Sequence, residues 1–302
     1  MCMTTLRDLE ATFCDYLSMI KNYQKTTVKS YQNTFQSFHT ALPDMDRADQ
    51  VSPIHAQQFF FWGRSERKWK PATFVTHHKH LNVFYAWAVK NGVAASNPFT
   101  GIEKPRMERK LPTRLSRQQA MDLLSAAANL KYEYKFLGFR NHAIFAMFLY
   151  CGLRKHELLK LTCADVDLEN LIICVRQGKG NKDRVVPMPY PLKSILDRYA
   201  AERTRLGKTC PQFFASLNRD CGFTDSGLKR LVDKVIKATG INFYPHMLRH
   251  TFATLMIEGG CDIYSLSKML GHNDIKTTTI YLSASVEHLR AEMTKHPLNF
   301  FA

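Results

Sequence analysis

The chain runs to 302 residues, 45% hydrophobic and 23% charged, which supplies apolar material for one or two ordinary cores and excludes a mainly disordered polymer. Lys and Arg number 42 against 26 Asp and Glu, a formal net charge of +16 that calls for a polyanionic partner, nucleic acid before an anionic membrane surface. Apolar runs such as Ala143 to Tyr150 fall well short of the ~18 residues of a membrane span, and Met1 to Thr12 lacks a signal-peptide core, so a cytoplasmic, nucleoid-associated protein is expected.

The eight cysteines are scattered, with no C-x-x-C pair and no nearby His pair at zinc spacing. In a reducing compartment they read as small apolar residues or inert thiols, and no metal or other cofactor is expected.

Residues 4 to 42 carry a helical period with Leu6, Leu9, Phe13, Tyr16, Leu17 and Ile20 on one stripe. A break at Lys21 to Lys25 follows, then a second helix, capped by Thr26-Thr27, with Val28, Tyr31, Phe35 and Phe38 inward. Ser52-Pro53 opens a third, since Pro suits the first helical position, and its apolar side is Ile54, Phe59, Phe60 and Trp62. Pro71 begins a fourth with Phe74, Leu81, Val83, Phe84, Trp87 and Ala88, ending at Asn91-Gly92, good C-cap chemistry. Residues 1–100 therefore read as a small all-helical bundle. Its basic residues Arg64, Arg67, Lys68, Lys70 and Lys79 cluster around Trp69 and His77-His78-His80, as a phosphate-facing surface would, where any one of them alone is as readily a solvated side chain.

Three prolines, alternating charge and no usable period mark residues 101–113 and the few before them as a linker. A dozen such residues span roughly 40 Å when extended, long enough to pass around a duplex.

From residue 114 to 302 helices return around a short antiparallel sheet. Ser116 with Gln119 fits a capping box ahead of Ala120, Leu123, Leu124 and Ala127. The strongly apolar Ala143 to Leu153 helix runs into Arg154. Leu171 to Val175 and Arg184 to Met188 read as two strands joined by the turn Gly178-Lys179-Gly180-Asn181-Lys182-Asp183. Further helices cover Leu192 to Thr204 and Asp225 to Ala238.

Several residues carry chemistry, each with an ordinary alternative beside it. Arg154 at a helix start is commonly a surface cation, yet Glu157 one turn on can hold its guanidinium in place. His156-Glu157 suggests a zincin helix, but Lys160 stands where the second His is needed. Lys179 on a hairpin tip is commonly solvated, although it can also deliver a proton to a leaving oxygen. The phosphate-loop pattern is absent, which removes nucleotide hydrolysis. His246 and Arg249 share one helix face; His246 and His250 are spaced for a metal but have no third ligand at fitting spacing. His272 follows Gly271 at a helix end, and Tyr281, alone a core aromatic, lies nine residues further on.

Taken together, the stretches GLRKHELLKL, GKGNKDRVVPM, HMLRHTFAT and KMLGHNDIKTTTIY resemble, in order, the catalytic pattern of the tyrosine recombinase (phage integrase) family. The resemblance covers residues 114 to 297, and size and layout are most similar to the simple Xer-type recombinases. A His common two residues beyond the Tyr is replaced by Ser283, a departure that bears on subgroup.

The resemblance implies a mainly α fold with a small antiparallel β-sheet: an N-terminal SAM-like core-binding bundle (1–100), a linker (101–113) and a mixed α/β catalytic domain with a C-terminal tail (114–302). It implies that Tyr281 attacks the scissile phosphate to give a 3′-phosphotyrosyl link, with Arg154 and Arg249 on the non-bridging oxygens and His246 as base. Lys179 then protonates the leaving 5′-oxygen, and His272 donates to a phosphate oxygen. Neither metal nor ATP is implied. The partners are double-stranded recombination sites and three further copies in a homo-tetramer, with an accessory or partner recombinase also possible, and no membrane. The apolar tail His296 to Phe301 is either a strap on its own core or, as the resemblance implies, a segment docked on the neighbouring subunit, the second being expected first. Integration and excision of a mobile element is the role expected first, chromosome-dimer resolution the alternative. A type IB topoisomerase and a non-catalytic DNA-binding protein stand further off.

Overall fold

The structure, a computed structural model, describes residues 5–108, 112–176, 183–272 and 274–282, and divides into two units, Met1–Arg109 and Lys110–Ala302. The turn bearing Lys179 and the tail beyond Leu282 lie outside the described residues, as do the expectations placed on them.

In the first unit, the Thr5 hydroxyl accepts from the Asp8 amide and the Asp8 carboxylate accepts in return, which starts α1 (Leu6–Asp15). The helix runs on through one π-helical turn, Tyr16–Ile20. Next come α2 (Lys25–Ala41), α3 (Pro53–Ser65) and α4 (Pro71–Lys90). The core is aromatic: Phe13 meets Phe84 and Phe35 meets Phe84 edge-on, at centroid distances of 5.3 and 5.1 Å, and Phe38, Phe59 and Phe99 continue the layer.

Three expectations need correction. Thr26 and Thr27 lie inside α2, whose cap is Gln24. Ile20, Ile54 and Val83 point to solvent, because the helix faces are set by the aromatic neighbours rather than by every apolar residue. The α4 histidines turn inward instead of facing a phosphate backbone. His77 stacks on Trp69 at 4.1 Å and His80 on Tyr31 at 4.0 Å, both bond the Thr34 hydroxyl (3.0 and 2.8 Å), and His78 donates to the Phe99 carbonyl. Burial holds His77 and His80 uncharged, bringing each down to about 4.

The second unit is built on α6 (Lys135–Cys151), which is buried on all sides from Ala143 to Leu149 and packs against α5 (Arg117–Asn129), α8 (Tyr190–Arg205) and α10 (Pro245–Glu258). Ser116 and Gln119 do form the capping box of α5. Between α6 and α8 lie α7 (Lys155–Lys160) and a three-stranded antiparallel sheet in the order β1 (Val166–Asp167), β2 (Ile172–Val175), β3 (Arg184–Pro187). Ile173 is the central pairing residue, opposite Val166 on one side and Val186 on the other. The two-residue β1 has too short a pattern to be read in sequence. After α8 come α9 (Asp225–Thr239), α10, α11 (Ile263–Leu270) and α12 (Lys276–Leu282). The last three helices enclose a smaller core of Phe252, Ala253, Ile257, Leu266, Leu270 and Tyr281.

Candidate active site

Two left-handed glycines bring distant segments together. Gly152, at φ 59°, ends α6 and turns the chain into Arg154; Gly271, at φ 64°, ends α11 and turns it into His272. A Cβ at Gly152 would lie 2.3 Å from the Phe252 ring, and one at Gly271 would lie 2.8 Å from Arg184 Cδ, so both turns require glycine for space as well as for φ.

Arg249 on α10 joins these turns. Its guanidinium is buried at 1% exposure and donates to the Gly152 carbonyl and the Leu270 carbonyl, both at 2.6 Å, and to His272 Nε2 at 3.2 Å. A guanidinium can only donate, so His272 Nε2 accepts, and its ring proton sits on Nδ1, 2.8 Å from the Thr278 hydroxyl. All three acceptors of Arg249 are neutral. Burial first, and then the nearby charge of Arg154, lower its pKa to about 9. A buried cation bonded only to neutral groups is electrostatically incomplete, and an incoming anion would complete it.

Arg154 lies at the start of α7, with its side chain partly exposed. It donates to Glu157 Oε1 at 2.7 Å and to the Gly271 carbonyl at 3.3 Å, while its own amide donates to Glu157 Oε2 at 2.8 Å. Glu157 also receives both terminal nitrogens of Arg184, at 2.9 and 2.8 Å, and Arg184 Nε donates to the Met269 carbonyl at 2.7 Å. Burial alone would raise the Glu157 pKa, but the hydrogen bonds and charge of Arg184, with those of Arg154, bring it down to about 2. Arg184, at the turn end of the paired strands β2 and β3, thus ties that end to α7 and to the end of α11. Sequence reasoning passed over it, and its only signal was a charged residue opening an otherwise apolar strand.

Tyr281, 2% exposed, sets its ring in the small core of α10, α11 and α12. Burial raises the phenol pKa, while Arg249 and Arg154 pull the other way. The hydroxyl is 2.9 Å from Nδ1 of His250, a residue that the sequence offered only as a spare imidazole. His246 stands one turn earlier on α10, its ring centroid 4.4 Å from that of His250. Burial first, then Arg249 and Arg154, lower the His246 pKa; burial, His246 and Arg249 bring His250 down to about 4. Of the six residues the sequence proposed, the second unit thus brings Arg154, His246, Arg249, His272 and Tyr281 into one connected set. Among the described residues no group of His, Cys, Asp and Glu is arranged to hold a metal ion.

Two guanidinium groups and three imidazoles in one set with a neutral phenol make a site for attack on a phosphate ester. The model of the phage integrase family matches residues 113–288. The chain is 30% identical over 290 residues to the tyrosine recombinase XerC of Corynebacterium efficiens, spanning 94% of this chain and 90% of that protein. It is 32% identical over 297 residues to the tyrosine recombinase XerD of Lacticaseibacillus casei, spanning 97% and 99%. Its fold is similar to that of the Tn1549 transposon integrase in complex with transposon right end DNA, with a TM-score of 0.75 at 22% identity over 97% of this chain and 99% of that one. The chain belongs to the phage integrase family, and is a tyrosine recombinase that cleaves and rejoins DNA at specific sites.

Proposed function

We propose that Tyr281 Oη attacks the scissile phosphate, forming a 3′-phosphotyrosyl link and releasing a 5′-hydroxyl, with Arg154, Arg249 and His272 around the phosphate. The observation that carries this reading is the buried guanidinium of Arg249, which spans the Gly152 turn, the Leu270 carbonyl and His272 without an anionic partner among its bonded atoms. Phosphate oxygens would replace neutral acceptors there and bring the charge that the site lacks. His272 Nε2 accepts from Arg249 in this structure, so to donate to a phosphate oxygen the ring must take up a proton at Nε2 or shift its proton there from Nδ1. Lys179 is the acid assigned to the leaving 5′-oxygen by resemblance. The covalent link conserves the phosphodiester's energy, so neither ATP nor metal enters the scheme.

The helical first unit serves as the core-binding half, and four copies assemble on two paired sites. The XerC and XerD relatives, aligned over nearly the whole chain, support an Xer-type role in resolving chromosome dimers. The likeness of fold to a transposon integrase supports the second reading, integration and excision of a mobile element.

The test uses nicked suicide duplexes selected by this protein from a randomised pool. The wild type gives a covalent protein–DNA band and Tyr281→Phe gives none; an undiminished band from Tyr281→Phe removes the reading. A plasmid with two directly repeated selected sites then yields two circles, and failure to recombine despite cleavage argues against the two-site role.

A further inference from the structure

We propose that His250, and not His246, is the catalytic residue that takes the proton from Tyr281. This rests on the phosphotyrosyl reading above and deepens it. A general base must stand within about 2.6–3.2 Å of the atom it deprotonates. His250 Nδ1 meets that requirement at 2.9 Å from Tyr281 Oη, whereas His246 makes no hydrogen bond to Tyr281 and its ring centroid lies 4.4 Å from that of His250.

The surroundings of His250 suit the role. From its own helix it faces His246 and Arg249, and from α12 it faces Tyr281; Arg154, at the start of α7, acts on both His246 and Tyr281. Burial, then the neighbouring His246 and the cation at Arg249, keep the imidazole neutral at ordinary pH, so its basic nitrogen is vacant. The phenol is also neutral and has one proton to donate. The ring proton of His250 then sits on Nε2, and Nδ1 is the acceptor.

In the cleavage step the Tyr281 O–H bond breaks and its proton moves to His250 Nδ1. The Oη electron pair forms the new P–O bond, the P–O5′ bond breaks, and the 5′-oxygen leaves with a proton from the leaving-group acid. The new imidazolium is next to a phosphorane whose extra negative charge offsets its repulsion from Arg249. Rejoining runs the same transfers backwards, and His250 returns the proton to Tyr281. His246 is thereby left to shape the electrostatics of its neighbour, whose pKa it helps to lower.

The experiment measures single-turnover cleavage of the selected nicked duplex by the full chain between pH 6 and 9, for wild type, His250→Ala, His250→Asn and His246→Ala. Thermal melting and duplex binding of each variant are recorded alongside. Both His250 variants are expected to cleave about 10²–10⁴-fold more slowly than wild type. Their rates should climb about tenfold per pH unit, since the unassisted phenol must ionise and burial raises its pKa above that of an ordinary phenol. Added imidazole should restore at least part of the His250→Ala rate, and the His246→Ala profile should show neither the climb nor the rescue. Asn keeps a polar side chain at the position but cannot take the proton, so it separates positioning from proton transfer. A folded His250→Asn protein that cleaves at the wild-type rate overturns the assignment. So does a pH climb with imidazole rescue in His246→Ala and not in His250→Ala. The absence of any Tyr281-dependent product from the wild type would instead sink the phosphotyrosyl reading, and this assignment with it.

Discussion

Replacing Glu157 by Gln tests the electrostatic frame of the site. The carboxylate is 7% exposed and accepts four hydrogen bonds, two from Arg184 and two from Arg154, and it is the anion beside these two guanidinia. Its pKa falls from 4.5 to about 2 on folding. At about 1.4 kcal/mol per unit, that shift corresponds to on the order of 3 kcal/mol of stability, within the ~3–5 kcal/mol range for breaking a buried ion pair. Gln retains one acceptor oxygen but turns an amide donor toward a guanidinium, so most of that stabilisation is lost. The sign is fixed by linkage. A carboxylate with a depressed native pKa contributes its full stability above the unfolded value, near 4.5, and loses it as pH falls toward 2. Denaturant unfolding of the full chain is best followed by far-UV circular dichroism, because Trp62, Trp69 and Trp87 all lie in the first unit and report on that unit alone. Glu157→Gln should be less stable than wild type by about 3 kcal/mol at pH 7, and the gap should close between pH 4.5 and 2. A gap under about 0.5 kcal/mol at pH 7, or one unchanged down to pH 3, would refute the reasoning.

Three further outcomes follow from individual contacts. The buried His77 and His80 titrate near 4 in the folded first unit against 6.5 when free, so its stability should decline as pH falls from 6.5 to 4 and then level off, read by tryptophan fluorescence; a flat profile across that window contradicts their burial as neutral rings. Gly152→Ala places a Cβ 2.3 Å from Phe252 at a left-handed position, and a loss of about 1–3 kcal/mol in denaturant unfolding is expected, together with slower cleavage as the Gly152 carbonyl leaves Arg249. Arg249→Lys offers one nitrogen where two reach separate carbonyls 2.6 Å away, and single-turnover cleavage should fall about 10²–10³-fold with duplex binding largely retained.

Much of the helical framework was legible because its signals are local. The Ser116–Gln119 box, Pro53 and Pro71 at helix starts, and Gly271 after α11 depend on a few neighbouring residues, whereas the helix expected to run through Leu153 ends at Cys151 on the left-handed Gly152. What remained illegible is set by tertiary partners. The run His77-His78-Lys79-His80 reads as polar surface, and only Thr34, Trp69, Tyr31 and the Phe99 carbonyl, brought up by other segments, make its imidazoles interior groups. Ile54 has the right period for the core yet finds no neighbour there. At the site, Arg154 with Glu157 could be paired from their spacing. The contact between His250 and Tyr281 joins residues 31 apart in sequence, and no local pattern distinguishes it from the neighbouring His246.

The central claim is that Tyr281 becomes bonded to DNA phosphorus. Mass spectrometry of the protein, trapped on a selected suicide duplex in EDTA without ATP and digested with nuclease and protease, locates that bond. The account predicts a nucleotide adduct on the peptide carrying Tyr281, absent in Tyr281→Phe. An adduct on any other residue, or strand cleavage with no covalent adduct, would contradict it.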